Sequence, residues 1–147
     1  MRRHVKVLAA VVLLMAALGA QGADLTRLQE LVESGNAAAY PLARTLSADY
    51  AGNPDFDYLY GRAALDSGHP NEAIFALQRV IINRPSDDRA RLLLAQAYLR
   101  NGERVLARRE LDIVLEHSPP AIAKQARWAI RTLIEPLSPQ MREPSRG

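Results

Sequence analysis

The residues that could carry out chemistry are few in this 147-residue chain, and they are scattered along it. Its three histidines are His4, His69 and His117, and the sequence contains no HExxH, GxSxG or P-loop motif that would build a zinc, acyl-transfer or phosphate site. The absence of cysteine excludes thiolate catalysis, disulfides and zinc–thiolate sites. We therefore predict no catalytic residues, no metal site and no cofactor.

The aspartates that stand close together have a simpler structural explanation. Asp55, Asp57, Asp87 and Asp88 lie at two predicted helix starts, where carboxylates accept hydrogen bonds from free backbone N–H groups. A hydrolase is thus a disfavoured alternative, which a loss of activity on mutating His69 or His117 would revive.

A 34-residue unit occurs twice, at residues 54–87 and 88–121. A repeat of this length is typical of solenoid architectures, in which each unit buries its apolar face against its neighbours. The eight identical pairs are Leu59 and Leu93, Ala63 and Ala97, Leu65 and Leu99, Gly68 and Gly102, Ala73 and Ala107, Leu77 and Leu111, Val80 and Val114, and Pro85 and Pro119.

Each copy has the pattern of two helices joined by a tight turn. Apolar residues recur at spacings of three and four in both halves of each copy, which is the period of an amphipathic helix. Gly68 and Gly102 suit the left-handed position just after a helix, and Pro85 and Pro119 stop the second helix. The sequence thus predicts two antiparallel helix pairs.

Small residues mark where paired helices should touch. Gly61, Ala64, Ala73, Ala95 and Ala107 fall on the expected contact faces. Alanine is also simply a good helix former, but recurrence at the 34-residue offset favours close packing.

This unit resembles the tetratricopeptide repeat. The family places large and small residues where the two copies hold Tyr60, Gly61, Ala64, Ala73, Leu77, Val80 and Pro85, and Leu94, Ala95, Tyr98, Ala107, Leu111, Val114 and Pro119. Ala64 departs from the usual tyrosine, the two leucines from an aromatic and the two valines from alanine. The resemblance implies an all-α fold, a right-handed superhelix of antiparallel helix pairs, with a binding groove lined by the first helix of each pair.

The segments on either side of the two copies are predicted to close the solenoid. Residues 23–53 have the pattern of a degenerate first repeat or N-terminal cap, residues 122–135 that of a capping helix, and residues 136–147 that of a disordered tail. Ala126, Ile130 and Leu133 should face the core. Trp128 stands 34 residues after Leu94, which predicts core packing, with a binding anchor as the alternative.

Residues 1–22 have the pattern of a secretory signal peptide, with a basic start, an apolar run of 14 residues and small residues near Ala20 and Gly22. An uncleaved membrane anchor is the alternative, but a span needs about 20 apolar residues. We expect a periplasmic or secreted protein that does not span the membrane once processed. Without Arg2, Arg3 and Lys6, the 16 remaining basic residues balance the 16 acidic ones, which argues against nucleic acid.

The resemblance also implies which residues line the groove. The candidates are Tyr58, Leu59, Arg62, Leu65, Arg89, Leu92, Leu93, Gln96, Leu99 and Arg100, while Leu94 goes to the core. Arg62 and Gln96 stand where one sub-type uses asparagine and lysine to clamp a C-terminal carboxylate, so that clamp is rejected. The leucines could instead be sealed beneath the capping helix.

The second copy and its continuation resemble, more loosely, the periplasmic repeat domain that precedes outer-membrane barrels in surface-protein assembly factors. We therefore expect a non-enzymatic module of the bacterial cell envelope that binds a peptide or helix of a client protein, as an adaptor or assembly factor. No small-molecule substrate is expected. The alternative is a structural scaffold for cell-wall, pilus or secretion machinery.

Overall fold

The computed structural model describes residues 22–135, which form seven α-helices and a short π-helical end without any strand. The first helix, α1, covers residues 22–33 of this range. The others are α2 (Ala39–Tyr50), α3 (Pro54–Asp66), α4 (Pro70–Asn83), α5 (Asp88–Arg100), α6 (Arg104–His117) and α7 (Pro120–Ala129), followed by a π-helical turn (Ile130–Ile134). Within these residues no helix is long and apolar enough to cross a membrane.

The helices stack in the order of the chain. From α2 to α7 each helix packs on the next one, and α5 also touches both α3 and α7. The first helices of successive pairs are therefore neighbours, which confirms the predicted all-α solenoid. The helices α3 and α4 lie within residues 54–87, and α5 and α6 lie within residues 88–121. The predicted tail and all but the last residue of the predicted signal peptide lie outside the described residues.

The two inter-helix turns have the same backbone geometry. Gly68 and Gly102 have φ values of 81° and 82°, a region that glycine enters without steric cost. The N–H of Gly68 donates to the carbonyl of Leu65, and that of the next residue, His69, donates to the carbonyl of Ala64. This Schellman pattern satisfies the last carbonyls of α3 and sends the chain straight into α4.

Small residues bring the paired helices close together. A Cβ added at Gly61 would lie 2.6 Å from the Cγ atom of Leu77, a fully buried side chain of α4. Ala73, Ala95 and Ala107 are likewise buried. The predicted close packing is confirmed at these positions.

A buried ion pair joins α3 to α4. The Asp57 side chain is completely buried, and its two oxygens accept hydrogen bonds from Arg79 Nη2 at 2.6 Å and Nε at 3.0 Å. The backbone N–H of Gly52 also donates to it at 3.0 Å. Both carboxylate oxygens are thus hydrogen-bonded, which offsets the cost of burying this polar group.

We expect Arg79→Met to lower the free energy of unfolding by about 3 kcal/mol, because it leaves the Asp57 carboxylate buried without its partner. This is the lower end of the usual range, since the Arg79 side chain is 35% exposed. Urea denaturation followed by circular dichroism would measure it. The matched control Arg109→Met removes an exposed arginine from α6 and should change stability by no more than about 0.5 kcal/mol. Equal losses in the two variants would contradict the role of the pair.

Two tyrosines share one carboxylate between α2, α3 and α4. Glu72 accepts hydrogen bonds from the hydroxyls of Tyr40, at 2.8 Å, and of Tyr60. Burial and then the bond to Glu72 raise the pKa of Tyr60 to about 12, while the bond from Tyr60 is the main cause that lowers the pKa of Glu72. The neutral phenols and the charged carboxylate are therefore the forms that the fold favours.

This cluster predicts a loss of stability in alkali. A tyrosine whose pKa is raised in the folded state stabilises the protein fully below its ordinary pKa of 10 and loses that contribution as the pH rises towards 12. We expect Tyr60→Phe to be less stable than the wild type at pH 8, and the difference to shrink between pH 10 and 12. Urea midpoints at each pH would test it, and a difference that stays constant over this range would contradict the assignment.

The C-terminal helix starts at Pro120, two residues before the predicted capping segment. Its buried stripe consists of Ala123, Ala126, Ile130 and Ile134. The prediction that Leu133 faces the core was wrong, because that side chain is 40% exposed. The π-helical turn is the physical reason: its wider winding delays the buried stripe by one residue, so that Ile134 takes the inner position.

Candidate functional site

An apolar groove opens between α5 and α7, with α6 beneath it. Its volume is about 590 Å³. The lining residues are Leu92, Ala95, Gln96 and Leu99 from α5, Leu111 from α6, Lys124, Gln125, Trp128 and Ala129 from α7, and Leu133 from the π-helical turn. The groove exists because α7 packs mainly on α6 and touches α5 only lightly.

Three of the predicted groove residues lie together in this groove: Leu92, Gln96 and Leu99. They occupy successive turns of α5, because spacings of four and three keep side chains on one helix face. The sequence left open whether the capping helix covers these leucines. In the structure α7 forms one wall of the groove and does not cover them.

The other candidates are engaged elsewhere. Tyr58, Leu59 and Leu93 are half-buried against the core. The guanidinium of Arg62 pairs with Asp66 at 2.9 Å on the surface of α3.

The last two arginine candidates also lie outside the groove. Arg100 donates to the backbone carbonyl of Leu65 at 2.6 Å, which ties the end of α5 to the end of α3. Arg89 lines a separate recess beside Pro119 and Ile122.

The prediction that Leu65 faces the groove was wrong. Its side chain is completely buried, in the core between helices. Leu99 occupies the equivalent place in the second copy but stays half-exposed at the groove. The difference arises because α3 is covered on both sides by further helices, whereas α5 is covered incompletely by α7.

Trp128 is the residue that sequence reasoning placed wrongly. It was expected in the core, like Leu94, which is buried, but 61% of its surface is exposed and it lines the groove. The start of α7 lies only 32 residues after that of α5, which breaks the 34-residue register. Trp128 is therefore the ninth residue of its helix, like Gln96 in α5 and Arg62 in α3, and those two side chains are exposed as well. The indole thus stands at a groove position and not at the buried position of Leu94.

The groove has an apolar surface for contact and few side chains that could take part in catalysis. Among residues 22–135, Lys124 is the one ionisable residue in its lining, so the described lining holds no general acid and base side by side. Across residues 22–135 no group of three His, Asp or Glu side chains is placed to hold a metal ion.

Comparison with known proteins bears on what such a groove does. Residues 64–129 match the model of the tetratricopeptide repeat family. Tetratricopeptide repeats are in general non-enzymatic modules of protein–protein interaction, which suggests protein partners for this chain. The match includes both α5 and α7 and all of the groove except Leu133. No curated protein and no solved structure gives a significant match to the chain.

Trp128 is the only tryptophan of the chain, so its fluorescence reports on the groove alone. We expect a red-shifted, water-like emission that acrylamide quenches efficiently, because most of the indole is exposed. Denaturation in urea should change the emission maximum little. A blue-shifted emission that resists quenching in the folded monomer would show that the groove is covered.

Proposed function

We propose that this chain is a non-enzymatic adaptor of the bacterial cell envelope that holds a segment of a client protein in the groove between α5 and α7. The observation that carries the proposal is the exposed indole of Trp128 above an apolar floor, in a region that matches a protein-interaction repeat. Exposed aromatic side chains beside an apolar cleft are typical anchors of protein interfaces.

The dimensions of the groove suit a short helical or extended segment. The apolar row from Leu92 to Leu99 spans seven residues, which corresponds to about 10 Å along the helix axis. That length accommodates roughly two turns of a bound helix, with apolar side chains at positions i, i+3 or i+4, and i+7. Gln96 and Gln125 at the groove supply hydrogen bonds that fix the position of the segment.

The envelope assignment rests on the N-terminal sequence. A basic start followed by 14 apolar residues is typical of export, and cleavage between Ala20 and Asp24 would release the solenoid outside the cytoplasm. The client is then an envelope protein, and the role that of an adaptor or assembly factor. The mass of the protein isolated from the cell envelope, shortened by the leader, tests this part of the proposal.

The binding part of the proposal is tested by photo-crosslinking in the native cell. A photo-reactive amino acid at Gln96 or Trp128 should capture the same envelope protein from both sides of the groove. Matched probes at Arg104 and Arg109, which are exposed on α6, should not capture it. Crosslinks from α6 without any from the groove would contradict the proposed site. Several different partners captured from both faces would favour the scaffold alternative.

A further inference from the structure

We infer that the groove selects an acidic amphipathic segment, whose apolar side chains enter between α5 and α7 while its carboxylates meet Lys124 and Arg131. This inference deepens the proposed function and rests on it, because it names the chemistry of the segment that the same groove holds.

The charged side chains along α7 and the turn that follows it are all positive. Residues 118–134, which include all of α7, contain three Lys or Arg side chains and no Asp or Glu. Lys124, Arg127 and Arg131 are exposed, and within residues 22–135 none of them forms an ion pair. Glu135, four residues after Arg131, pairs with Arg108 of α6 at 3.8 Å. The three cations are therefore left without a carboxylate partner among the described residues.

Two of these cations lie where a bound segment would meet them. Lys124 lines the groove together with Trp128. Arg127 lies on the opposite flank of α7 from Gln125 and Ala129, because it is two residues away from each of them. Arg131 follows Lys124 by seven residues and Trp128 by three, so Lys124 and Arg131 stand together at the rim of the groove. Their long side chains can bend over the rim towards a ligand, because Lys and Arg keep their charged heads in water while the stems cover apolar surface.

The remainder of the chain itself fits the groove poorly. Residues 136–147 contain two arginines and one glutamate, with Leu137 and Met141 as the only large apolar side chains. The basic side chains of that segment outnumber its one glutamate, so they offer the cations of α7 no net attraction.

The acidic N-terminal helix of a second copy also lacks a suitable surface. This helix, α1, carries Asp24, Glu30 and Glu33 against Arg27. The large exposed apolar side chains of the described residues, however, all lie from Phe75 onwards. No apolar anchor is therefore present on α1 to fill the partner's groove.

An anionic membrane is the other surface that basic and aromatic residues could meet. The shape of the site argues against it. The groove is concave and its floor is Leu111, a side chain that is 1% exposed. A flat lipid surface would contact the rim and leave the floor unfilled, whereas side chains that project from a helix can fill it.

The inference is tested with a displayed library of 16-residue helical peptides and the full chain as isolated from cells. Leu is fixed along one face, and the flanking polar positions are drawn equally from Glu, Lys and Gln. An exposed ion pair changes affinity by a small factor, so we expect Glu to exceed Lys about threefold at these positions after selection. Because the cations are solvent-exposed, binding of the selected Glu peptide should weaken as salt is raised.

Two variants with reversed charges, one at the groove and one on α6, provide the matched comparison for this selection. Selection on the K124E/R131E variant should turn the preference towards Lys, since only the sign of the charges at the groove has changed. The R104E/R109E variant reverses exposed charges on α6 and should keep the preference for Glu. Circular dichroism and the urea midpoint of each variant show whether it is folded, and loss of the preference on R104E/R109E would overturn the inference.

Three further outcomes distinguish a failure of the acidic inference from a failure of the proposed groove. Peptides enriched without any charge bias would overturn the acidic inference and leave the groove as a binding site. If nothing is enriched relative to a Trp128→Ala chain, both the inference and the proposed groove are wrong. Tighter binding to phosphatidylglycerol vesicles than to the selected Glu peptide, with a blue shift of Trp128, would assign α7 to a lipid surface and overturn the inference.

Discussion

The close approach of paired helices is the constraint on which the rest of this structure depends. Gly61 leaves room for the Leu77 side chain, because even one methyl group there would meet it at 2.6 Å. A core packed to this density tolerates little change in volume. Once α3 and α4 are this close, the Asp57 carboxylate comes within hydrogen-bond distance of Arg79 across the interface. The apolar contact thus sets the distance at which the polar contact becomes possible.

Polar contacts then distinguish one helix pair from the other. In the first pair the acid stands on the first helix and the base on the second, as Asp57 and Arg79. In the second pair the order is reversed, since Arg91 on α5 bonds to Glu110 on α6 at 2.7 Å. The carboxylates of both pairs are largely shielded from water. A mismatched pairing of α3 with α6 would bring these two carboxylates, Asp57 and Glu110, together. Reversal of sign therefore helps to specify which helices pair, a role in which buried charges contribute specificity more than stability.

The sequence predicts the interior of the solenoid better than its open side. Gly68, Gly102 and the buried alanines recur at a fixed offset, because each occupies an environment that the next repeat reproduces. The same offset failed for Leu65, whose environment depends on helices beyond its own pair, and for Trp128, because α7 starts two residues earlier than the repeat predicts. The pair of Arg91 and Glu110 could not be foreseen either: Arg91 stands 34 residues after Asp57 but has the opposite charge, and Glu110 stands three residues before the equivalent of Arg79. A separate signal for the groove was present in the sequence, namely the absence of acidic residues around Trp128.

The light packing of α7 has a physical consequence for binding. The helix α7 buries two alanines and continues into a π-helical turn that buries two isoleucines, so it contributes less apolar burial than α3 or α5. In a solenoid each helix depends on its nearest neighbours for stability. A segment bound between α5 and α7 would add contacts to α7 and thereby stabilise it by mass action. The light contact between α5 and α7, which leaves the groove open, is thus the same feature that makes α7 responsive to a ligand.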